Sequence, residues 1–347
     1  MTSRITIVGC GILGVWQALT LARRGLQVRV VEASAAPFTD AASLHAGAML
    51  APDCEGEAAP PVVRDLGHHG LALWREAYPG LVHAGSLVLA QTRDRSELTR
   101  FRRLTTGHRL IEGAELAALE PQLGSRFAEA LYFPDEAHMA TPSALAFLLD
   151  AARRAGAVTE FATTWVDRPA EPDEVIVDTR GIAARAELAT LRGVRGERLL
   201  LRSAEVRLRR PVRLLHPRHP IYVVPWGDGR FLVGATVVES DDAGPATVRS
   251  ALELLGTAYA LEPAFAEAEI LEVATGIRPA FPDNVPRAVV RDGGRRILVN
   301  GAYRHGFLLG PVLAEAVADY VLGGRREHPL LVEDREPAAA ARTSAPA

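Results

Sequence analysis

Cysteine is scarce in this chain: Cys10 and Cys54 are the only two in 347 residues. They form neither a metal-ligand spacing nor a disulfide framework, so no metal site is expected and a reducing cytoplasm suits the chain. Charge of one sign is lacking too. With 39 basic and 42 acidic residues the net charge is −3, which leaves no basic field to argue for nucleic acid or an anionic membrane as partner. No solenoid-type repeat is visible. Ile5 to Ala22 carries no charge and could pass for a signal peptide or a membrane span. Three glycines interrupt it, Arg23 and Arg24 follow it, Arg4 alone precedes it and no small-residue cleavage pattern comes after, all of which argue against both readings.

The chain does hold enough apolar sequence, 48% hydrophobic residues, for a large core and two domains. The same stretch from Ile5 to Glu32 reads as a βαβ unit. Ile5, Ile7 and Val8 form a short apolar strand, and Gly9, Gly11 and Gly14 follow with G-x-G-x-x-G spacing. The first glycine allows the tight turn, the second lets backbone approach a pyrophosphate, and the third lets helix pack on strand. Val15, Ala18, Leu19 and Ala22 then lie on one helical face, and Gly25 stands where the helix should end. A second strand, Val28 to Val31, ends on Glu32, about twenty positions on, where a ribose hydroxyl is bound in such units. Cys10 inside the glycine loop reads as packing.

Further along, helices are expected at Leu66 to Tyr78 and, in patches, from Glu97 to Leu123, with a strand at Ser86 to Gln91. Thr141 reads as the N-cap of a helix with Pro142 at its first position and Gly156 at its end. Strands follow at Val158 to Phe161 and Val175 to Val177, the latter running into Asp178, Thr179, Arg180 and Gly181, a turn of the kind that closes over a nucleotide. From Leu199 the pattern changes: strands at Leu199 to Leu201 and Val206 to Leu208, a hairpin from Tyr222 to Ala235, a helix from Thr247 to Ala260 and a strand from Glu269 to Ile277 suggest an antiparallel sheet. Ile297 to Val299 is a buried-type strand, Asn300 to Gly310 a loop and Pro311 to Leu322 a helix. The expected fold is α/β: a Rossmann-like dinucleotide domain around a parallel sheet (residues 1–82, 141–198 and 276–335), an inserted α+β substrate domain (83–140 and 199–275) with a mainly antiparallel sheet, and a disordered tail (336–347).

Only one G-x-G-x-x-G occurs, so the residues leave open NAD as sole cofactor or FAD reoxidised by something other than a nicotinamide. A resemblance then narrows the choice. SLHAGAMLAPDCE from Ser43, IYVVPWGDGRFLVGAT at 221–236, GIRPAFPDN at 276–284 and GAYRHGFLLGP at 301–311 resemble, in order and over nearly the whole chain, the conserved blocks of the glycine oxidases of the D-amino-acid oxidase family of flavoproteins.

What the resemblance implies is oxidation of glycine to the imine by noncovalent FAD, with O2 reduced to H2O2. It also implies a homo-oligomer and, in bacteria, use of the imine for the thiazole of thiamine. A related oxidase or dehydrogenase of sarcosine, D-proline or D-alanine is the alternative. Arg278 matches the arginine that binds the substrate carboxylate, a fork that lysine could not supply, and Tyr222 the tyrosine that adds a hydroxyl contact. Arg304 matches the position that meets the amine through its backbone carbonyl. FAD contacts are implied at Gly9, Gly11, Ile12, Leu13, Gly14, Glu32, Ser43, Ala46, Gly47, Met49, Val166, Gly181, Arg278, His305, Gly306, Phe307 and Leu308. The chain departs from the family at His45, in place of a small residue; at Pro220, in place of a polar one; and in the segment 158–199, which is short. His45 reads as a hydrogen-bonded structural histidine, and His305 faces either flavin or solvent.

Overall fold

A computed structural model describes residues 4–334; the tail expected to be disordered lies outside them. Strands are numbered here in chain order. One sheet has the order β17 (Leu331–Glu333), β15 (Arg287–Arg291), β16 (Arg296–Asn300), β9 (Glu174–Asp178), β1 (Arg4–Val8), β2 (Gln27–Val31), β8 (Val158–Glu160). All its pairings are parallel save β15 with β16. The second has the order β14 (Glu269–Ala280), β10 (Arg192–Arg202), β13 (Arg230–Gly234), β12 (Ile221–Gly227), β11 (Val212–Leu215), β4 (Ser86–Ala90), β6 (Glu129–Phe133), β5 (Arg109–Glu112), antiparallel except where β11 meets β4. Two short strands, β3 (Met49–Leu50) and β7 (Ala137–His138), pair with each other. The fold is therefore α/β, a Rossmann-like parallel sheet beside a mainly antiparallel one.

Nearly every residue of α1 (Ile12–Arg23) is buried, because it is covered by α7 (Thr141–Arg154) and by α9 (Gly306–Gly323), which in turn carries α3 (Pro61–Ala77). Trp16 and Trp74 meet edge to face at 4.9 Å, and Trp74 stacks on Phe307. Among the described residues α9 is the one helix long and apolar enough to cross a membrane, and its apolar surface is mostly buried inside this core.

Several elements differ from expectation for identifiable reasons. The helix placed at Pro311 begins at Gly306 instead, so Pro311 sits inside α9. Its missing N–H would have bonded the carbonyl of Phe307; the Trp74 indole donates to that oxygen at 2.6 Å and replaces the lost bond. Thr141 is not a cap: Ala140 holds that place, and the Thr141 hydroxyl donates to the Ala46 carbonyl at 2.6 Å, fixing the loop that carries Ser43 to Gly47. Val206 to Leu208 is not a strand. The Ser203 hydroxyl accepts from the N–H groups of Glu205 and Val206, and Gln122 and Glu120 accept from Arg207 and Arg209, so side chains take the bonds a ladder would use. The region from Glu97 to Leu123 holds β5 between α4 (Arg95–Leu104) and the short α5 (Gly113–Leu119) and α6 (Pro121–Gly124). Strands β15 and β17 carry no period-2 signal that reading along the chain could single out.

β10 runs from Arg192 to Arg202 and β14 from Glu269 to Ala280, both within the antiparallel sheet. Division points at 198 and 276 would cut these strands. We propose that the two domains divide at the start of β10 and the end of β14.

Candidate active site

The glycine loop joins β1 to α1. Gly9 has φ +97°, a conformation that L side chains rarely adopt. A Cβ at Gly14 would strike the Gly9 carbonyl oxygen and stand 2.9 Å from the Thr179 hydroxyl. That hydroxyl, on the turn after β9, donates to the carbonyls of Val8 and Gly9, each at 2.9 Å. Glu32 accepts from the Cys10 N–H at 2.7 Å and from Ser34 N–H at 2.9 Å, so its carboxylate is held against the loop with acceptor capacity to spare. The Ile12 N–H donates to Ser43 Oγ at 3.2 Å. Among the described residues the N–H groups of Leu13 and Gly14 have no acceptor, and α1 has no side-chain cap. This is a helix N-terminus prepared for an anion. Burial pushes the Cys10 thiol up to about 12, which fits a packing role. Gly14→Ala is expected to weaken FAD binding about tenfold to a hundredfold through overpacking; flavin retention after gel filtration measures it, and a variant that keeps a full complement of flavin would place the cofactor elsewhere.

The second half of the site lies on one face of the antiparallel sheet. Tyr222 on β12 stands opposite Gly234 on β13, and Gly234 is opposite Arg198 on β10. β10 also pairs Gly196 with Gly276 and Val194 with Arg278 on β14. Residues opposite one another point to the same side, as do alternate residues along a strand. The glycines make room for the large side chains: a Cβ at Gly47 would come within 2.7 Å of the Tyr222 ring, one at Gly234 within 2.8 Å of its hydroxyl, and one at Gly196 would overlap the Arg278 guanidinium. Arg278 donates to the Thr236 carbonyl at 3.2 Å. No Asp or Glu among the described residues forms an ion pair with it. Burial pulls its affinity for a proton below the ordinary range, with Tyr222 and Tyr303 opposing that. Every basic residue of this chain is an arginine, since it contains no lysine.

On the same face, with Arg213 of β11 opposite Tyr222, lies a polar cluster around a buried carboxylate. Glu55, at the end of α2 (Pro52–Glu55), pairs with Arg304 at 2.8 Å and Arg213 at 3.1 Å. Burial alone would raise its pKa, but the two arginines outweigh that and hold it well below the carboxylate range. Next to it, burial pushes Glu136 up to about 7; it accepts from the Ser86 hydroxyl and, at 2.9 Å, from the Cys54 N–H. His305 is buried, not solvent-facing, and burial lowers it to about 4, so the ring is neutral, with Nδ1 3.7 Å from Glu55. The first-turn N–H groups of α9, at Gly306, Phe307 and Leu308, have no acceptor among the described residues, nor does the Arg304 carbonyl have a donor. The Arg304 side chain points to Glu55.

The residues present fit FAD. The glycine cradle that a Cβ would fill and the two bare helix N-termini, α1 and α9, offer donors for a pyrophosphate at one end and for an electron-rich ring edge at the other. Gly181 closes the turn after β9, its carbonyl accepting from Asn300 at 2.9 Å. Val166 stands apart from the rest, 77% exposed. Sequence reading missed Glu55, Arg213, Glu136 and Arg198; Arg213 is half-buried and the others are buried, and only the fold shows who their partners are. His45 has the structural bond expected of it, accepting at Nδ1 from Arg198 at 3.3 Å.

Comparison with known proteins agrees with this geometry. The family model described as DAO, FAD dependent oxidoreductase, matches residues 4–320. A Rhizobium etli protein with the provisional name thiamine biosynthesis oxidoreductase ThiO is 48% identical, the alignment covering 92% of this chain and 96% of the relative. The glycine oxidase of Geobacillus kaustophilus is 29% identical over 92% of this chain and 94% of its own length; its crystal structure superposes with a TM-score of 0.78, covering 94% and 96% of the two chains. The crystal structure of the Bacillus cereus glycine oxidase has a TM-score of 0.81 at 24% identity, covers 94% and 99%, and shows the same fold.

Proposed function

We propose, from the premise that this chain belongs to the DAO family of FAD-dependent oxidoreductases, that it oxidises glycine to the imine with noncovalently held FAD. The imine then hydrolyses to glyoxylate and ammonia, or passes to an enzyme that builds the thiazole of thiamine, in line with the name of the Rhizobium etli relative. FAD, held by the loop from Gly9 to Gly14 and the N-terminus of α9, would supply the two-electron acceptor for the α-carbon's hydride, with O2 as the final oxidant and H2O2 as its product. The observation that carries the reading is Arg278: a half-buried guanidinium with no acidic partner among the described residues, on a sheet face that it shares with a phenol. A small carboxylate is the counter-ion such a group lacks. Tyr222 adds a hydroxyl to the same end, and the Arg304 carbonyl accepts from the amine, so the α-carbon is held between two fixed ends. Orientation of this kind supplies much of the rate. The amine must be neutral for electrons to leave, and a carbonyl acceptor serves a neutral amine without supplying a base. The flavin contacts proposed for Ala46, Gly47 and Met49 follow from their place beside Tyr222 and β3.

The purified protein is expected to show a flavin spectrum, to be bleached anaerobically by glycine and to release one H2O2 per glycine in air. A colourless protein that FAD does not reconstitute would remove the cofactor assignment. A flavoprotein that glycine, sarcosine, D-alanine and D-proline all fail to bleach would remove the amino-acid reading.

A further inference from the structure

A second arginine shares the face that holds the carboxylate clamp. Arg198 lies in one cross-strand row with Tyr222, and the residue between them, Gly234, has no side chain. The Tyr222 hydroxyl covers that gap, 2.8 Å from where a Gly234 Cβ would be. The next residue of β10 on the same face is Gly196, about 6.6 Å away by strand geometry, and the Arg278 guanidinium covers it. Arg198 therefore adjoins the clamp on two sides.

Its own surroundings leave it unfinished. Arg198 is 3% exposed. Nη2 lies 2.9 Å from a Glu272 carboxylate oxygen as an ion pair and donates to His45 Nδ1 at 3.3 Å, while Nε and Nη1 are buried without any partner among the described residues. Unmatched buried donors on a cation are costly, and such groups are retained where an acceptor completes them. His45 packs over Gly276, 3.2 Å from where its Cβ would be. Burial, and then the Arg198 charge, keep that imidazole neutral, so it fixes Arg198 without balancing its charge. Among the described residues the arginines Arg198, Arg278, Arg213 and Arg304 form ion pairs with two carboxylates, Glu272 and Glu55. This side of the sheet favours a ligand with more than one negative charge.

We propose that Arg198 is a second anion-binding point, so that the site accepts small amino acids bearing a second carboxylate, one end on Arg278 and Tyr222 and the other on Arg198. This rests on the amino-acid reading above and extends its substrate class. The step is unchanged: the α-carbon gives up its hydride, nitrogen loses a proton, and the C=N bond forms while the second carboxylate only holds the far end.

Binding to the holoenzyme tests it without turnover. Oxydiacetate and methoxyacetate have an ether oxygen where a substrate has nitrogen, and they differ in the second carboxylate; each is titrated by its perturbation of the flavin spectrum. Oxydiacetate is expected to bind at least about tenfold more tightly than methoxyacetate, as a charge-assisted pair warrants. In Arg198→Leu the two should bind within threefold of each other, and in Glu272→Gln, which removes the competing carboxylate, the preference should grow. No preference in the unaltered protein overturns the proposal, as does a preference that survives Arg198→Leu or falls in Glu272→Gln. If glycine bleaches the flavin while oxydiacetate shows no preference, the Arg198 assignment falls and the glycine reading stands. If no amino acid bleaches it, the glycine reading has failed, whatever Arg198 binds.

Discussion

Arg278→Met should lower kcat/KM for glycine about a thousandfold, or ~4 kcal/mol, while the protein keeps its flavin. The loss should fall mainly on KM, because the guanidinium meets the carboxylate before and during the reaction alike. Arg278→Lys should recover only a small part, since a point charge cannot reproduce the fork that two parallel bonds require. The folded protein should not suffer. Arg278 is a half-buried cation that donates only to the backbone carbonyls of Thr236 and Arg195 among the described residues, and an apolar side chain in its place is spared the cost of partly desolvating that charge. A melting temperature equal to or above that of the unaltered chain, together with a large rise in KM, is thus the expected pair of results. A KM within twofold of the unaltered value would mean that the carboxylate is held elsewhere.

How much of this could be read along the chain depends on the range of the interaction. The βαβ unit was legible because each of its signals is local: glycines five residues apart, an apolar face of helical period, an acid at the end of the next strand. Arg278 and Tyr222 were legible only as members of longer blocks, since an arginine between Ile277 and Pro279 has no local pattern of its own. The helix start at Gly306 was missed because Pro311 normally ends or kinks a helix, and the residue that relieves it, Trp74, is 233 positions away. The same reason hides the buried polar cluster. Glu55 looks like one more acid in a small-residue segment until the fold brings up Arg213, 158 residues on, and Arg304, 249 residues on. Arg198 has no local pattern of its own; its meaning depends on Gly234 lying opposite it and on Gly276 lying one same-face pair further along β14.

Glu55→Gln is expected to destabilise the protein by about 1–3 kcal/mol at pH 8, because it leaves the half-buried Arg213 and the more exposed Arg304 without their shared carboxylate. The damage should extend to the cofactor. Glu55 ties three segments together: α2, strand β11 through Arg213, and the loop through Arg304 that presents the bare N-terminus of α9. Flavin release should therefore precede unfolding in the variant. The pH dependence separates this ion pairing from simple loss of packing. The folded pKa of Glu55 is depressed, so its stabilisation is fully present above the ordinary value of 4.5 and is lost as the pH falls below it. Glu136 has the opposite sign. Its folded pKa is raised to about 7, so between 4.5 and 7 the native state keeps a proton that the unfolded chain has released, and this contribution declines as the pH rises through that window. In urea unfolding, the gap in stability between the unaltered protein and Glu55→Gln should stay level where Glu55 is ionised in both states and narrow below about pH 4.5. Equal stability of the two proteins at pH 8 would show that the arginines find other partners, and that the cluster does not hold the two sheets and the α9 loop together.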